Sequence, residues 1–212
     1  MSDFINRHSV TLNHKEFLRA VKTLSKLVVQ NRHELELQSH IEKHPYILSQ
    51  QLSHCHHVFP RVKLGERFVA DFFCLDIPSS GKEWIGVEIK RAGIKVITKA
   101  GRKTALLEHA LQQVRDWRQW TIDNIDYARR SVEKSGLGLE EIQPRFIGWV
   151  IIGRRDQYNR EFNKLRQQIF RDELIQVRSW DGVIEWAEQR AKHSQGTTEA
   201  LALLAGERVV KC

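Results

Sequence analysis

Residues 145–153, RFIGWVIIG, are a nearly continuous apolar run of strand length that follows Pro144. Such a run predicts a strand buried on both faces, which requires other elements to lie over both sides of a sheet. The chain must therefore build layers around this segment, and the rest of the sequence supplies them. The expected fold class is α/β, a mixed central β-sheet flanked by α-helices.

Upstream, Asn13 and Glu16 have the spacing of a helix start, and Phe17, Val21, Leu24, Leu27 and Val28 then recur at helical period. A second helix is predicted from about Arg32 to Lys43, stopped by Pro45, which also pushes His44 out of helical geometry. From residue 58 the texture changes. VFPRVKLGERFVADFFCLDI is rich in β-branched and aromatic residues around Gly65 and Glu66, which predicts a hairpin, and EWIGVEIKRA predicts a further strand. A long helix is expected over about 103–127, with Leu106, Ala110, Gln113, Trp117 and Trp120 along one stripe. After the buried strand come a helix over about 158–170, a strand in LIQVRSW and a helix over about 182–191. The tail, residues 195–212, contains TTEALALLAG, which could form a short amphipathic helix against a partner subunit or fray.

No repeat, linker or low-complexity segment is visible, and one domain over residues 1–212 is expected: a helical start (13–45), a core (about 32–153), an α/β extension (154–194) and the tail. With 212 residues, 41% of them hydrophobic, the chain can bury enough surface to fold without a disulfide or structural metal. Cys55, Cys74 and Cys212 are odd in number and widely spaced, which fits a reducing compartment. The first residues lack the apolar stretch of a secretory signal and no segment has the length of a membrane span, so a cytoplasmic protein with no membrane partner is expected. The net charge of +8 favours polyanions.

The chemistry concentrates in two apolar strands. Asp71 lies in RFVADFF and Glu88, Ile89 and Lys90 in VEIK. Strand alternation puts Trp84, Gly86, Glu88 and Lys90 on one face and Ile85, Val87 and Ile89 on the other. A buried carboxylate is costly unless paired or metal-bound, so two of them with a lysine at inward positions read as a site. Phosphodiester hydrolysis needs charge stabilisation and an activated water, both of which a divalent metal provides. Hard oxygen ligands suit Mg²⁺, with Mn²⁺ as a substitute: Asp71 and Glu88 through carboxylates and Ile89 through its backbone carbonyl. Lys90 would orient or help deprotonate water and offset phosphate charge. The plain alternative is a structural ion pair on a half-exposed sheet.

An Asp, a gap of sixteen residues and then Glu-x-Lys across two strands, with helices on either side, resembles the PD-(D/E)xK restriction-endonuclease-like core over about residues 32–153. Ala70 stands where that motif's proline would be. ELELQSHIEKHPYIL and LEHALQQVRDWRQW, together with FVADF and VEIK, resemble the helices and strands of the Shedu-type nuclease domain. That resemblance implies a metal-dependent endonuclease that hydrolyses DNA in bacterial anti-phage defence, often as a homo-oligomer, here with little beyond the nuclease domain. It makes Asp71 and Glu88 metal ligands, Lys90 the catalytic lysine and Gln113 an active-site helix residue, with Gln112 as the alternative in register. Glu36, directly before Leu37 and Gln38, is the first choice for a metal-facing acid and Glu34 the second. A non-catalytic nucleic-acid-binding protein on the same fold, or a subunit that cuts only within an assembly, are the competing functions.

Lys95, Lys99, Arg102 and Lys103 lie between the Glu-x-Lys strand and the long helix, where they could meet DNA phosphates or form a solvated basic loop. Arg154 and Arg155 carry the same two readings. Trp117 and Trp120 could stack bases, but their helical spacing favours the core. His54, Cys55, His56 and His57 lack the second ligand couple that a structural zinc site uses, and read as a loop leading into a strand.

Overall fold

In the computed structural model of the chain, residues 2–11, 13–52 and 55–190 are described, apart from the side chains of Cys55 and His56. The amphipathic tail segment and His54 lie outside the described residues. The Asn13 side chain accepts from the Glu16 amide at 3.3 Å and starts helix α2 (His14–Val29), whose Phe17, Ala20, Val21, Leu24 and Val28 are buried. A short helix precedes it: α1 (Asp3–Arg7) is capped by Ser2 and buries Ile5 completely. One and a half turns are too few for apolar periodicity to reveal. Helix α3 (Glu34–Lys43) ends at His44, which has φ −131° and ψ 60°, and α4 (Tyr46–Ser49) resumes after Pro45.

Strands β1 (Cys55–Leu64) and β2 (Phe68–Asp76) form the expected antiparallel hairpin, turning at Gly65, whose φ of +66° favours glycine. β2 pairs antiparallel with β3 (Glu83–Ile89), β3 parallel with β4 (Ile147–Ile151), and β4 parallel with β5 (Ile175–Arg178). The result is a five-stranded mixed sheet in the order β1-β2-β3-β4-β5. β4 is covered on both faces, as its composition requires. Trp149 and Ile151 pack with α2, α3, α4 and the helix over residues 180–190, here α8, whereas Val150 and Ile152 pack with α5 (Ala105–Asp123) and α7 (Arg160–Glu173).

The long helix is shorter and rotated relative to the sequence reading. Thr104 caps α5 through the Leu107 amide, and a break at Asn124 separates it from α6 (Ile125–Arg129). Its buried face is Leu107, Ala110, Leu111, Val114, Trp117 and Thr121, and Leu106 is 52% exposed. Adjacent leucines at 106 and 107 satisfy the helical period equally well, so only packing against the sheet selects between them.

The Phe146 ring lies directly against β3, beside Trp117 of α5, because Gly86 has no side chain. A Cβ there would come within 2.8 Å of the Phe146 ring and 3.4 Å of Trp117. Gly86→Ala is therefore expected to destabilise the fold by about 1–3 kcal/mol through overpacking. A urea midpoint equal to that of the unaltered chain would contradict this close approach.

Candidate metal and phosphoryl site

Strand alternation places Asp71 with Phe73 and Leu75 on one face of β2, and Glu88 with Trp84 and Gly86 on one face of β3. These are the same face of the sheet, since Phe73 meets Phe146 and Trp117 at ring-centroid distances of 5.2 and 6.4 Å, and Gly86 lies beneath those two rings. The two carboxylates thus stand at the end of an aromatic layer under α5. Asp71 accepts a hydrogen bond from the Ile89 amide at 2.8 Å. In an extended strand the N–H and C=O of one residue project to the same side, so the Ile89 carbonyl also leaves β3 on the side of Asp71.

Lys90 is the first residue beyond β3, and its backbone is held at both ends. Its amide donates to the Ile151 carbonyl at 2.8 Å, and its carbonyl accepts from the indole Nε1 of Trp180 at 2.6 Å. From this fixed base its ammonium lies 2.6 Å from Glu88 Oε1 and 3.2 Å from Glu34 Oε1. Glu34 opens α3, where the helix dipole favours negative charge. Trp180 itself is fully buried. In the sequence it closes the expected strand LIQVRSW, and nothing in its spacing points to Lys90.

Glu88 is only 1% exposed. One of its carboxylate oxygens meets Lys90, and Oε2 is buried without a hydrogen-bond partner among the described residues. Burial, and then repulsion from Asp71, push the Glu88 carboxyl up to about 8 against the pull of Lys90. Burial likewise raises Asp71 to about 6, with the Ile89 amide and Lys90 acting the other way. Lys90 would be lowered by its burial, but Glu88 and Glu34 outweigh that and raise it.

Of the two candidate acids on α3, Glu34 reaches this cluster and Glu36 does not. The Glu36 side chain turns back to the His33 amide at 3.4 Å in a capping box, and 3.7 Å from Arg32 it is part of an exposed pair. The two glutamines of α5 also separate. Gln112 is exposed and bonded to Asp116 and Arg115, whereas Gln113 keeps a buried Oε1 that has no hydrogen-bond partner among the described residues. Lys95, Lys99 and Arg102 are exposed on a tight loop, anchored by buried Ile94 and Val96 and closed by the bridge between Ile97 and Lys103. Lys103 is half-buried and paired to Glu108 at 2.5 Å. Arg154 forks onto Asp181, Arg155 pairs with Glu185, and Trp117 is core.

The donor set fits a hard divalent cation. Glu88 Oε2 is a buried carboxyl oxygen without a hydrogen-bond partner among the described residues, and Asp71, bonded to the Ile89 amide, stands beside it on the side to which the Ile89 carbonyl projects. Among the described residues no group of three or more His, Cys, Asp and Glu could hold a metal, so this is not a closed zinc-type cage. One or two carboxylates completed by waters and substrate oxygens is the manner of Mg²⁺.

With the fold and the cluster in view, comparison with known families gives a direct result. The family model described as Shedu protein SduA, C-terminal, matches residues 31–184, from just before α3 into α8, and the chain belongs to that family. No curated protein matches the chain.

The acids also set a pH dependence. Both carboxyls have folded-state values above their ordinary ones, so the native state holds protons more tightly than the unfolded chain. Their contribution to stability is complete below about pH 4 and is lost as pH rises through about 6 and then about 8. Urea denaturation in EDTA should show stability falling by on the order of 2–4 kcal/mol between pH 5 and 8.5, and Glu88→Gln should flatten most of that slope. A flat profile for the unaltered chain would mean that the pair is not buried as described.

Proposed function

We propose that this chain is a divalent-metal-dependent nuclease that hydrolyses DNA phosphodiester bonds, built on a PD-(D/E)xK core and acting in bacterial anti-phage defence. The observation that carries the reading is Glu88: a buried carboxyl with one oxygen on Lys90 and the other without a partner among the described residues, next to Asp71. Membership of the Shedu family supports the defence role. Apart from the short α4 and α6, the order α3, β1, β2, β3, α5, β4 supports the core expected from the sequence.

Asp71, Glu88 and the Ile89 carbonyl would hold Mg²⁺ or Mn²⁺. When bound, the cation supplies charge stabilisation at the phosphate and lowers the pKa of an attacking water. The chain's own residues do the rest. Lys90, its backbone clamped by Ile151 and Trp180, presents an ammonium that can orient the water and offset phosphate charge. Glu34 shares that ammonium and so fixes its direction. Gln113 offers an Oε1 that has no partner among the described residues and could accept from a water. Lys95, Lys99 and Arg102, exposed on the loop that leads to α5, would contact DNA phosphates, with Lys103 weakened for that role by its pairing to Glu108. A homo-oligomer is part of the proposal by family likeness.

Purified protein should nick supercoiled plasmid in Mg²⁺ or Mn²⁺ and not in EDTA, and Asp71→Asn and Lys90→Ala should each lower the rate at least ~100-fold. A wild-type chain that cuts nothing with either metal, yet binds duplex as tightly as its variants, would replace the nuclease with a nucleic-acid-binding module.

Glu34→Gln and Glu36→Gln should behave differently in the same assay. The first removes a partner of Lys90 and should cost roughly 10- to 100-fold in rate. The second should leave the rate within about twofold and stability within about 0.5 kcal/mol, since a glutamine at this position can still accept from the His33 amide. Equal rates for the two variants would remove Glu34 from the site.

A further inference from the structure

Among the described residues, Asn31, Arg61, Ser135, Glu141 and Leu174 are the non-glycine residues with a left-handed backbone. Four of them lie in turns or at the end of a helix, where such a residue is ordinary. Arg61 is the exception, because it sits inside β1 with φ +50°. The conformation has a use in the fold. Strict alternation would separate Phe59 from Val62 and Phe73 from Ala70, yet all four pack in the cluster that α5 covers. The kink at residue 61 turns the outer part of the hairpin so that Val62, Leu64, Phe68 and Ala70 join that cluster.

The kink accounts for the backbone and not for the side chain. Glycine or asparagine takes a left-handed φ at lower cost, whereas arginine is strained there. The place is also particular. Between the pairs Pro60–Phe72 and Val62–Ala70, residue 61 stands opposite Asp71, with the two backbones roughly 5 Å apart. Arg61 is exposed, and among the described residues its guanidinium has no hydrogen bond or ion pair with Asp71 or any other group. Strain kept beside a chemical site, for a side chain with no partner in the fold, points to a partner outside it.

The charges further along the hairpin agree. β2 pairs with β3 only from Phe72, so from Asp71 outward the hairpin is a two-stranded ribbon. One face packs toward α5, and on the other Lys63 and Val69 are cross-strand neighbours, both exposed. Lys63 also has no polar partner among the described residues, and Arg67 at the turn lies over the Phe68 ring. Glu66 is the one acid between residues 61 and 70. Unpaired cations that begin opposite Asp71 and run outward complement a phosphodiester backbone, and a two-stranded ribbon fits a duplex groove.

We propose that this ribbon binds the backbone of duplex DNA, with Arg61 on a phosphate beside the one that is cut and Lys63 on a phosphate further out. The placement next to the cut rests on the nuclease reading, and the binding itself does not.

The test is anisotropy of a fluorescein-labelled duplex across a salt series, in EDTA and in Ca²⁺, with the full chain, Arg61→Asn, Lys63→Gln and Arg171→Gln. Arg171 is exposed on α7, which packs on β5 at the opposite edge of the sheet, and its variant loses the same charge. Asparagine tolerates the left-handed backbone, so Arg61→Asn should have a urea midpoint equal to or above that of the unaltered chain. Its duplex affinity should fall roughly 5- to 50-fold and its slope of log K against log salt should shrink by about one, with a smaller loss in Lys63→Gln. Arg171→Gln should stay within about twofold of the unaltered chain. In cleavage with Mg²⁺ the Arg61→Asn defect should fall on KM, with kcat within about threefold. The proposal is overturned if the unaltered chain binds duplex in neither condition, or if Arg61→Asn matches Arg171→Gln in affinity and slope. Arg61-dependent binding without Lys90-dependent cleavage would sink the nuclease and leave the ribbon standing. Lys90-dependent cleavage that Arg61→Asn leaves untouched would do the reverse.

Discussion

The structure is organised around a carboxylate that is costly to keep where it is. Glu88 is nearly inaccessible in a strand otherwise made of Trp, Ile, Gly and Val, and a lone buried carboxylate costs several kcal/mol unless a cation or a proton meets it. Around it the fold supplies a partial answer. Parallel pairing of β3 with β4 fixes the Lys90 amide on Ile151, the first turn of α8 fixes the Lys90 carbonyl through Trp180, and α3 brings Glu34 to the ammonium. Five separate elements, β2 through Asp71, β3, β4, α3 and α8, thus meet in one small volume.

The legible parts of this arrangement rest on period-two geometry. Alternation in VEIK separates Glu88 from Ile85, Val87 and Ile89 with no freedom of phase, and the run RFIGWVIIG has no polar face to show solvent. The helical parts were less legible. Glu34 and Glu36 are two residues apart, about 200° around the helix, so they face nearly opposite ways and composition alone does not choose. The signal that separates them was present but disguised: Glu36 is the N3 residue of a capping box whose cap is His33, not the serine or threonine by which such boxes are usually recognised. Likewise Leu106 and Leu107 compete for one place on α5, and the sheet below decides. Trp180 could not have been found at all, since its partner lies ninety residues away and is a backbone carbonyl.

The region after β4 is part of the same construction. β5 closes the parallel half of the sheet, Arg154 at the end of β4 forks onto Asp181 in α8, and the Arg178 side chain crosses to Gln51 after α4. The span of the family match, residues 31–184, runs through these elements into α8, in keeping with their physical attachment to Lys90. α2 precedes that span and yet packs into the same layer, its Phe17 meeting Tyr46 edge-on at 5.7 Å.

What makes the cluster unfavourable by itself is also what would make it receptive. Desolvation raises both carboxyl groups because water no longer stabilises their charge, and a divalent cation placed there would meet oxygens that have few competing partners. Lys90 cannot fill that role alone. It is a single charge divided between Glu88 and Glu34, and its three donors leave Glu88 Oε2 unanswered. A second positive centre would relieve the repulsion between Asp71 and Glu88 and leave the ammonium facing outward chemistry instead of internal neutralisation. The cost of the buried acid pair and the cation binding proposed above would then have one electrostatic cause, with the Lys90 backbone held in place by Ile151 and Trp180.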